Sequence, residues 1–292
     1  MLYCTFTFQV FKMLRFFFLN CTGKSQAVYE TMIQAVIDAC ERLGVSADPT
    51  SVTTDFESAA MNAIRSKFGS SVAVHGCFFH LCQSTYRKIQ ALGLTQAYND
   101  TADSSIKEFC SMLDALAFLP EADVQTGMDF IRQSVPSGQH TDKLMDLVAY
   151  FDSTYISGGV RRVQRPSNNG LSVRLRRLAP LFPPATWNVF ASTLSGNHRT
   201  NNVCEAWNRG FNALVGHCHP AFYCAVEALQ QDSAAATTVL LQNARGQPPV
   251  KRQKRSTVRL QRQLQTICGD RRDGRKSVGD TLRAVAHTVR LI

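Results

Sequence analysis

The sequence predicts an α/β protein whose small sheet gives way to a long run of helices, and three observations predict it. Short β-prone stretches alternate with amphipathic helical stretches as far as His80. That order, strand, helix, strand, helix, strand, favours parallel pairing. Beyond His80 apolar residues recur at helical spacing almost continuously, and a hydrophobic fraction of 45% with 18 Phe suffices for a sizeable core.

The elements follow in order. Phe6, Phe8 and Val10 alternate with Thr5, Thr7 and Gln9, and Phe16–Leu19 is a short apolar run, so Met1–Leu19 reads as strands. A secretory leader is the weaker reading, because Lys12 and Arg15 interrupt the apolar stretch and no cleavage site stands out. Val28, Met32, Ile33, Val36 and Ala39 predict a helix over Ser25–Leu43, with Gly44 after its last turn. Ser51–Thr54 is β-prone, Glu57–Phe68 is helical with Ala60, Ile64 and Phe68 in register, and Val72–Val74 is a second short strand. Helices are expected over Leu81–Leu92, Ile106–Phe118, Val124–Val135 and Leu144–Tyr155. A long loop is expected next, with Gly158-Gly159, Asn168-Asn169-Gly170 and Pro183-Pro184 as breakers. It carries Arg161, Arg162, Arg165, Arg174, Arg176 and Arg177 and no acid, and loops of that length are usually functional or disordered. Further helices are predicted over Asn202–Leu214 and Phe222–Asn243.

The formal net charge is +10, and it is unevenly spread. Arg245–Lys276 holds eleven Lys or Arg against two acids, Asp270 and Asp273. A basic tail beside a near-neutral globule points to a polyanionic partner, most simply nucleic acid. The segment Pro248–Arg255, with Lys251, Arg252, Lys254 and Arg255, is expected to be exposed and unpacked, either as a phosphate-contacting or nuclear-import cluster or as a solvated linker. No apolar run reaches transmembrane length, so no membrane partner is expected. The ten cysteines are scattered, and several, such as Cys40 and Cys110, sit in apolar helical stretches, which predicts reduced buried thiols rather than a disulfide framework.

Three places could carry chemistry. Asp55 directly follows Val52-Thr53-Thr54, at the carboxyl end of a strand where α/β sheets bind ligands; by position alone a cap for the next helix is the stronger reading. Glu205 falls opposite the stripe Val203, Trp207, Phe211 and Leu214 on a helical wheel, grouped with Asn201, Asn208 and Asn212. That face is either solvated or, given three amides in place of Lys and Glu, suited to a phosphate or metal. Cys77 and His80 have C-x-x-H spacing with Cys82 nearby, half of a zinc site, or else a buried structural pair; His217-Cys218-His219 could complete it. Thr22-Gly23-Lys24-Ser25 ends like a P-loop, but the position that needs the first glycine is Phe18, so nucleotide hydrolysis by that route is excluded.

Taken together these segments resemble one family. Thr54-Asp55-Phe56-Glu57 with Asn62-Ala63, Gly76-Cys77-Phe78-Phe79-His80, and Ala115–Pro120 resemble successive segments of Mutator-like (MULE-type) DNA transposases. So do Tyr150-Phe151 with Thr154-Tyr155-Ile156, Phe182-Pro183-Pro184 with Trp187-Asn188, and Thr200-Asn201-Asn202 with Glu205, Trp207 and Asn208. The ordered match runs from about Leu19 to Leu229. The resemblance implies an RNase H-like (DDE transposase) α/β fold, N-terminally truncated, with an all-helical insertion between the second and third acidic positions. It implies Asp55 and Glu205 as the second and third catalytic carboxylates, close in space and holding Mg2+ (or Mn2+), with Zn2+ possible at Cys77 and His80. It implies DNA, as transposon ends, for a partner, a possible homo-oligomer, and the nucleus for a location. Met1–Tyr29 contains no Asp or Glu, so the first catalytic Asp has no counterpart and the expected activity, metal-dependent strand cleavage and transfer, is expected to be lost. A DNA-binding derivative without catalysis and a zinc-dependent interaction module are the alternatives. The expected divisions are a partial α/β region at 1–98, a helical insertion and arginine-rich loop at 99–199, helices with the third acid at 200–244, and a basic tail, flexible in part, at 245–292.

Overall fold

The computed structural model describes residues 7–8, 23–167, 170–197, 199–200, 202–216, 221–246 and 254–289. Some side chains within these segments, those of residues 163–174 and 202–208 among them, lie outside the description. In chain order the elements are β1 (Thr7–Phe8), α1 (Gln26–Arg42), β2 (Ser51–Thr54), α2 (Ser58–Phe68), β3 (Ala73–Gly76), α3 (Phe78–Ala91), α4 (Thr95–Tyr98), α5 (Ser105–Ala115), α6 (Val124–Gln133) and α7 (Thr141–Phe151). A π-helical turn, Asp152–Ile156, extends α7. Then come β4 (Val160–Ser167), β5 (Gly170–Arg177), α8 (Pro184–Trp187), α9 (Phe190–Leu194), α10 (Asn202–Val215), α11 (Phe222–Ala244), α12 (Arg255–Arg272) and α13 (Val278–Thr288). The protein is thus an α/β chain, mostly helical with a few small strands. No described helix is long and apolar enough to cross a membrane.

The chain divides into two compact units. Unit 1 takes residues 1–77 and 200–254; unit 2 takes 78–199 and 255–292. In unit 1, β2 pairs parallel with β3, Val52 opposite Val74 and Thr54 opposite Gly76, and antiparallel with β1. Parallel strands need a crossover, and α2 supplies it. Its Ala60, Met61, Ala63 and Ile64 are buried while Asn62 and Arg65 face out. Helix α1 starts where Ser25 caps it, its hydroxyl accepting the Val28 N–H at 3.4 Å, and it packs on α2.

Unit 2 is mainly helical, built on the run Phe109–Leu119, in which every residue is buried. Helices α5 and α6 pack on each other, and α13 lies against both. Here the structure departs from the sequence reading. Residues 78–98, assigned there to the α/β region, belong to the helical unit, because Phe78, Leu81, Cys82, Thr85 and Ile89 of α3 are buried in it. The segment read as a basic, partly flexible tail is folded from Arg255 onward. Leu264 and Cys268 of α12, and Leu282, Val285 and Ala286 of α13, are buried. The Cys268 thiol donates to the Phe118 carbonyl at 3.6 Å, and Arg271 pairs with Asp123 at 2.8 Å. High average charge had masked an apolar stripe at helical spacing, and that stripe decides whether a helix packs. Of the cluster expected to be unpacked, Lys254 and Arg255 are exposed, and residues 247–253, including Lys251 and Arg252, lie outside the described residues.

The expected arginine-rich loop is a two-stranded antiparallel ribbon, β4 against β5, running from Val160 opposite Arg177 to Ser167 opposite Gly170. Of Asn168-Asn169-Gly170, read as a chain breaker, Gly170 pairs with Ser167 at the end of the ribbon, and Asn168 and Asn169 lie outside the described residues.

If α13 is part of the core of unit 2, Leu282→Ala leaves a cavity at a fully buried site. It is expected to lower that unit's stability by about 2–5 kcal/mol, read as earlier unfolding in urea. Unchanged stability would show that α13 does not hold the unit together.

Candidate functional site

At the end of β2 the buried Thr54 is followed by an exposed Asp55. The loop beyond is tightly held: the Glu57 N–H donates to the Asp55 carbonyl at 2.7 Å, and the Cys77 N–H donates to the Thr54 carbonyl at 2.8 Å. The Phe56 ring lies over Gly76, where a Cβ would come within 2.5 Å of the ring, so only glycine fits opposite it without a shift. Lys24 and Glu57 approach to 3.9 Å. Helix α2 takes Glu57 as its N-cap residue, so the cap position falls two residues past Asp55. Asp55 therefore stands at the carboxyl end of a parallel strand, beside the start of the crossover helix, where open α/β sheets place ligand groups.

Glu205 lies on α10, and α10 belongs with Asp55 to unit 1. Its side chain lies outside the described residues, as do those of Val203, Trp207 and Asn208. Of the core stripe expected on this helix, Phe211 is buried and Leu214 is exposed. Cys77 is the last residue of unit 1 and is fully buried; His80, half-buried on α3, belongs to unit 2. Neither Cys77 nor Cys40, Cys82, Cys110 or Cys268 is in a disulfide, and all five are buried.

A two-metal site needs several carboxylates at fixed separation, and a zinc site four ligands. Among the described residues no three His, Cys, Asp or Glu side chains converge. Asp55 is the one carboxylate of the expected pair whose side chain is described, and one carboxylate does not make either site.

The expected DNA-contacting arginines sit on the ribbon. Arg161, Arg162, Arg176 and Arg177 are exposed, and Arg165 and Arg174 are strand residues of β4 and β5 whose side chains lie outside the described residues. The motifs around residues 150–156 and 182–188 meet at the foot of this ribbon. Trp187 is fully buried and donates its indole N–H to the carbonyls of Tyr155 (3.1 Å) and Phe182 (3.0 Å). The Asn188 amide reaches the Leu119 carbonyl at 2.8 Å, joining a third motif.

Sequence reasoning missed a buried carboxyl, Asp114, in the core of unit 2. The Thr85 hydroxyl donates to its Oδ1 at 2.7 Å, and the Cys82 thiol also bonds to it. Its Oδ2 has no partner among the described residues. Burial pushes its pKa up to about 7, against the smaller opposing effect of those two hydrogen bonds. Burial, and then the neighbouring Asp114 charge, pushes Cys110 up to about 12 and raises Tyr98 as well. The signal was available: an acid between Leu113 and Ala115, inside an otherwise apolar run, cannot face water.

No protein-family model, no curated protein and no solved structure matches this chain.

Because the folded pKa of Asp114 is raised, the folded protein binds a proton that the unfolded chain releases. Stability from this group is fully present below the unfolded value of 3.8 and is lost as pH rises to about 7. Asp114→Asn copies the protonated form. Its melting temperature should therefore match the parent near pH 4, exceed it at pH 8, and vary less between them. Parallel pH profiles for the two proteins would show that Asp114 does not titrate in this range.

Proposed function

We propose that the chain is a derivative of the catalytic region of a Mutator-like DNA transposase, with an RNase H-like α/β unit, that binds DNA without cutting it. One observation carries the reading. The unit holding Asp55 is interrupted in the sequence directly after Cys77 by a separate helical unit, and it resumes at Thr200, just before the helix bearing Glu205. That is the arrangement the family resemblance implies for its second and third acids. The position of Asp55 at the carboxyl end of β2, in a parallel pair, agrees with the role of a catalytic carboxylate.

In this reading Asp55 and Glu205 would hold Mg2+ (or Mn2+), which would neutralise charge on a phosphate in the course of displacement. The chain's own contribution is to fix the two carboxylates on a strand end and a helix. The segment Met1–Tyr29 offers no acid for the third place. Two carboxylates would hold metal and phosphate loosely, and phosphoryl transfer depends chiefly on positioning. Binding survives, because it needs only cations: the ribbon arginines and Lys251, Arg252, Lys254 and Arg255 would meet phosphates, in the nucleus where DNA lies.

The purified chain, given supercoiled plasmid with magnesium or manganese, is expected to retain the plasmid on a gel in low salt and to leave it un-nicked. Nicking that the Glu205→Gln variant abolishes would show that another residue here supplies the third carboxylate. Failure to retain the plasmid at any salt concentration would remove the DNA-binding reading itself.

A further inference from the structure

The ribbon β4–β5 has a geometry that composition did not disclose. The register sets Arg161, Val163 and Arg165 of β4 opposite Arg176, Arg174 and Ser172 of β5. Four of the six arginines stand at these register positions, and Arg161 sits directly opposite Arg176. Like charges opposed across a ladder destabilise it. No acid occurs in the sequence between Asp152 and Glu205 to offset them. The alternate pairs expose Val160 and Leu175 together with Arg162 and Arg177.

An isolated hairpin is marginal in water, so this one needs a mount. Gly158, at φ 78°, turns the chain into β4, and a Cβ there would lie 1.9 Å from the Leu178 carbonyl oxygen. The Leu178 N–H closes the foot of the ribbon by donating to the Gly159 carbonyl at 2.8 Å. Beyond it the Phe182 N–H donates to Thr154 in the π-helical turn, the Phe182 ring stacks on Tyr155 at 6.2 Å, and Trp187 is buried against both Phe151 and Tyr155. Both legs of the ribbon are thus clamped to one aromatic cluster, and the π-helical turn that the clamp grips is a feature found often at functional sites. Eight-residue strands reach about 26 Å from such a foot.

We infer that the ribbon is an arm that enters the major groove of duplex DNA, with Arg161, Arg165, Arg174 and Arg176 gripping the flanking phosphates. A two-stranded ribbon fits the major groove of B-form DNA, whereas the major groove of A-form RNA is too deep and narrow for it. The inference rests on the DNA-binding reading above and adds which element binds, by which residues, and in which groove.

The test uses the whole chain and a fluorescent duplex DNA oligonucleotide titrated over a range of salt. One variant carries Arg161→Ala, Arg165→Ala, Arg174→Ala and Arg176→Ala; a second carries Lys at the same four positions. A third removes four other exposed cations of the same unit, Arg87, Lys143, Arg259 and Arg262. The first variant is expected to bind more than about tenfold more weakly at 0.1 M salt, with a salt slope shallower by about 3 to 4. The lysine variant should keep the slope, which separates lost phosphate contacts from misfolding, and the third should lose less. The parent should protect guanine N7 from dimethyl sulfate, and the first variant should not. If the parent binds DNA and the first and third variants weaken it equally, or N7 stays unprotected, the arm is refuted while the DNA-binding reading stands. Equal parent affinity for duplex RNA would also refute it. If the parent binds no DNA, the reading beneath it fails first.

Discussion

The constraint on which the structure depends is that neither half of the helical unit can bury its apolar surface alone. The run Phe109–Leu119 presents buried side chains on every side of a short helix and the 3-10 turn after it. Residues up to Arg199 cover part of that surface, and α12 and α13 complete the cover. Two segments separated in sequence by the return through the α/β unit must therefore meet, and the chain is nested: α/β, helical, α/β, helical. The Arg271–Asp123 pair and the Cys268–Phe118 contact mark where the last segment docks. Partly exposed ion pairs add little, so the burial of Leu264, Leu282 and Val285 carries the docking.

That nesting is also what gives the functional reading its support. A helical unit that opens right after Cys77 and closes just before α10 leaves Asp55 and Glu205 in one α/β unit although they lie far apart in sequence. The same unit that separates the two acids in sequence bears the arginine ribbon. In the proposed reading one unit holds the carboxylates and the other bears the arginine ribbon.

Much of this was legible in the sequence, for physical reasons. Ser51–Thr54 was read residue for residue because β-branched side chains lie between a Pro-containing loop and an Asp. Helices α1, α2 and α6 followed from one clean apolar face each. The Ser51–Thr54 run also fixed the place of Asp55 directly after β2. The ribbon was missed because arginines occupy alternate positions that a half-buried strand would fill with apolar residues, so its period 2 did not read as hydrophobic alternation. Helices α12 and α13 were missed because net charge was averaged over a stretch whose buried positions are few but correctly spaced. Asp114 was not legible from a place at a strand end, because it lies within a helix and only its apolar neighbours mark it.

The central claim is that Asp55 and Glu205 belong to one site on the α/β unit. It is tested most directly by placing a spin label at each of the two positions, through a non-natural amino acid that spares the cysteines, and measuring the distance between them by pulsed electron resonance. The account predicts a single short distribution, no wider than the two label arms allow around neighbouring carboxylates. A distribution centred at the width of the unit, or one spread broadly across it, would contradict the account and leave Asp55 an isolated acid at the end of a strand.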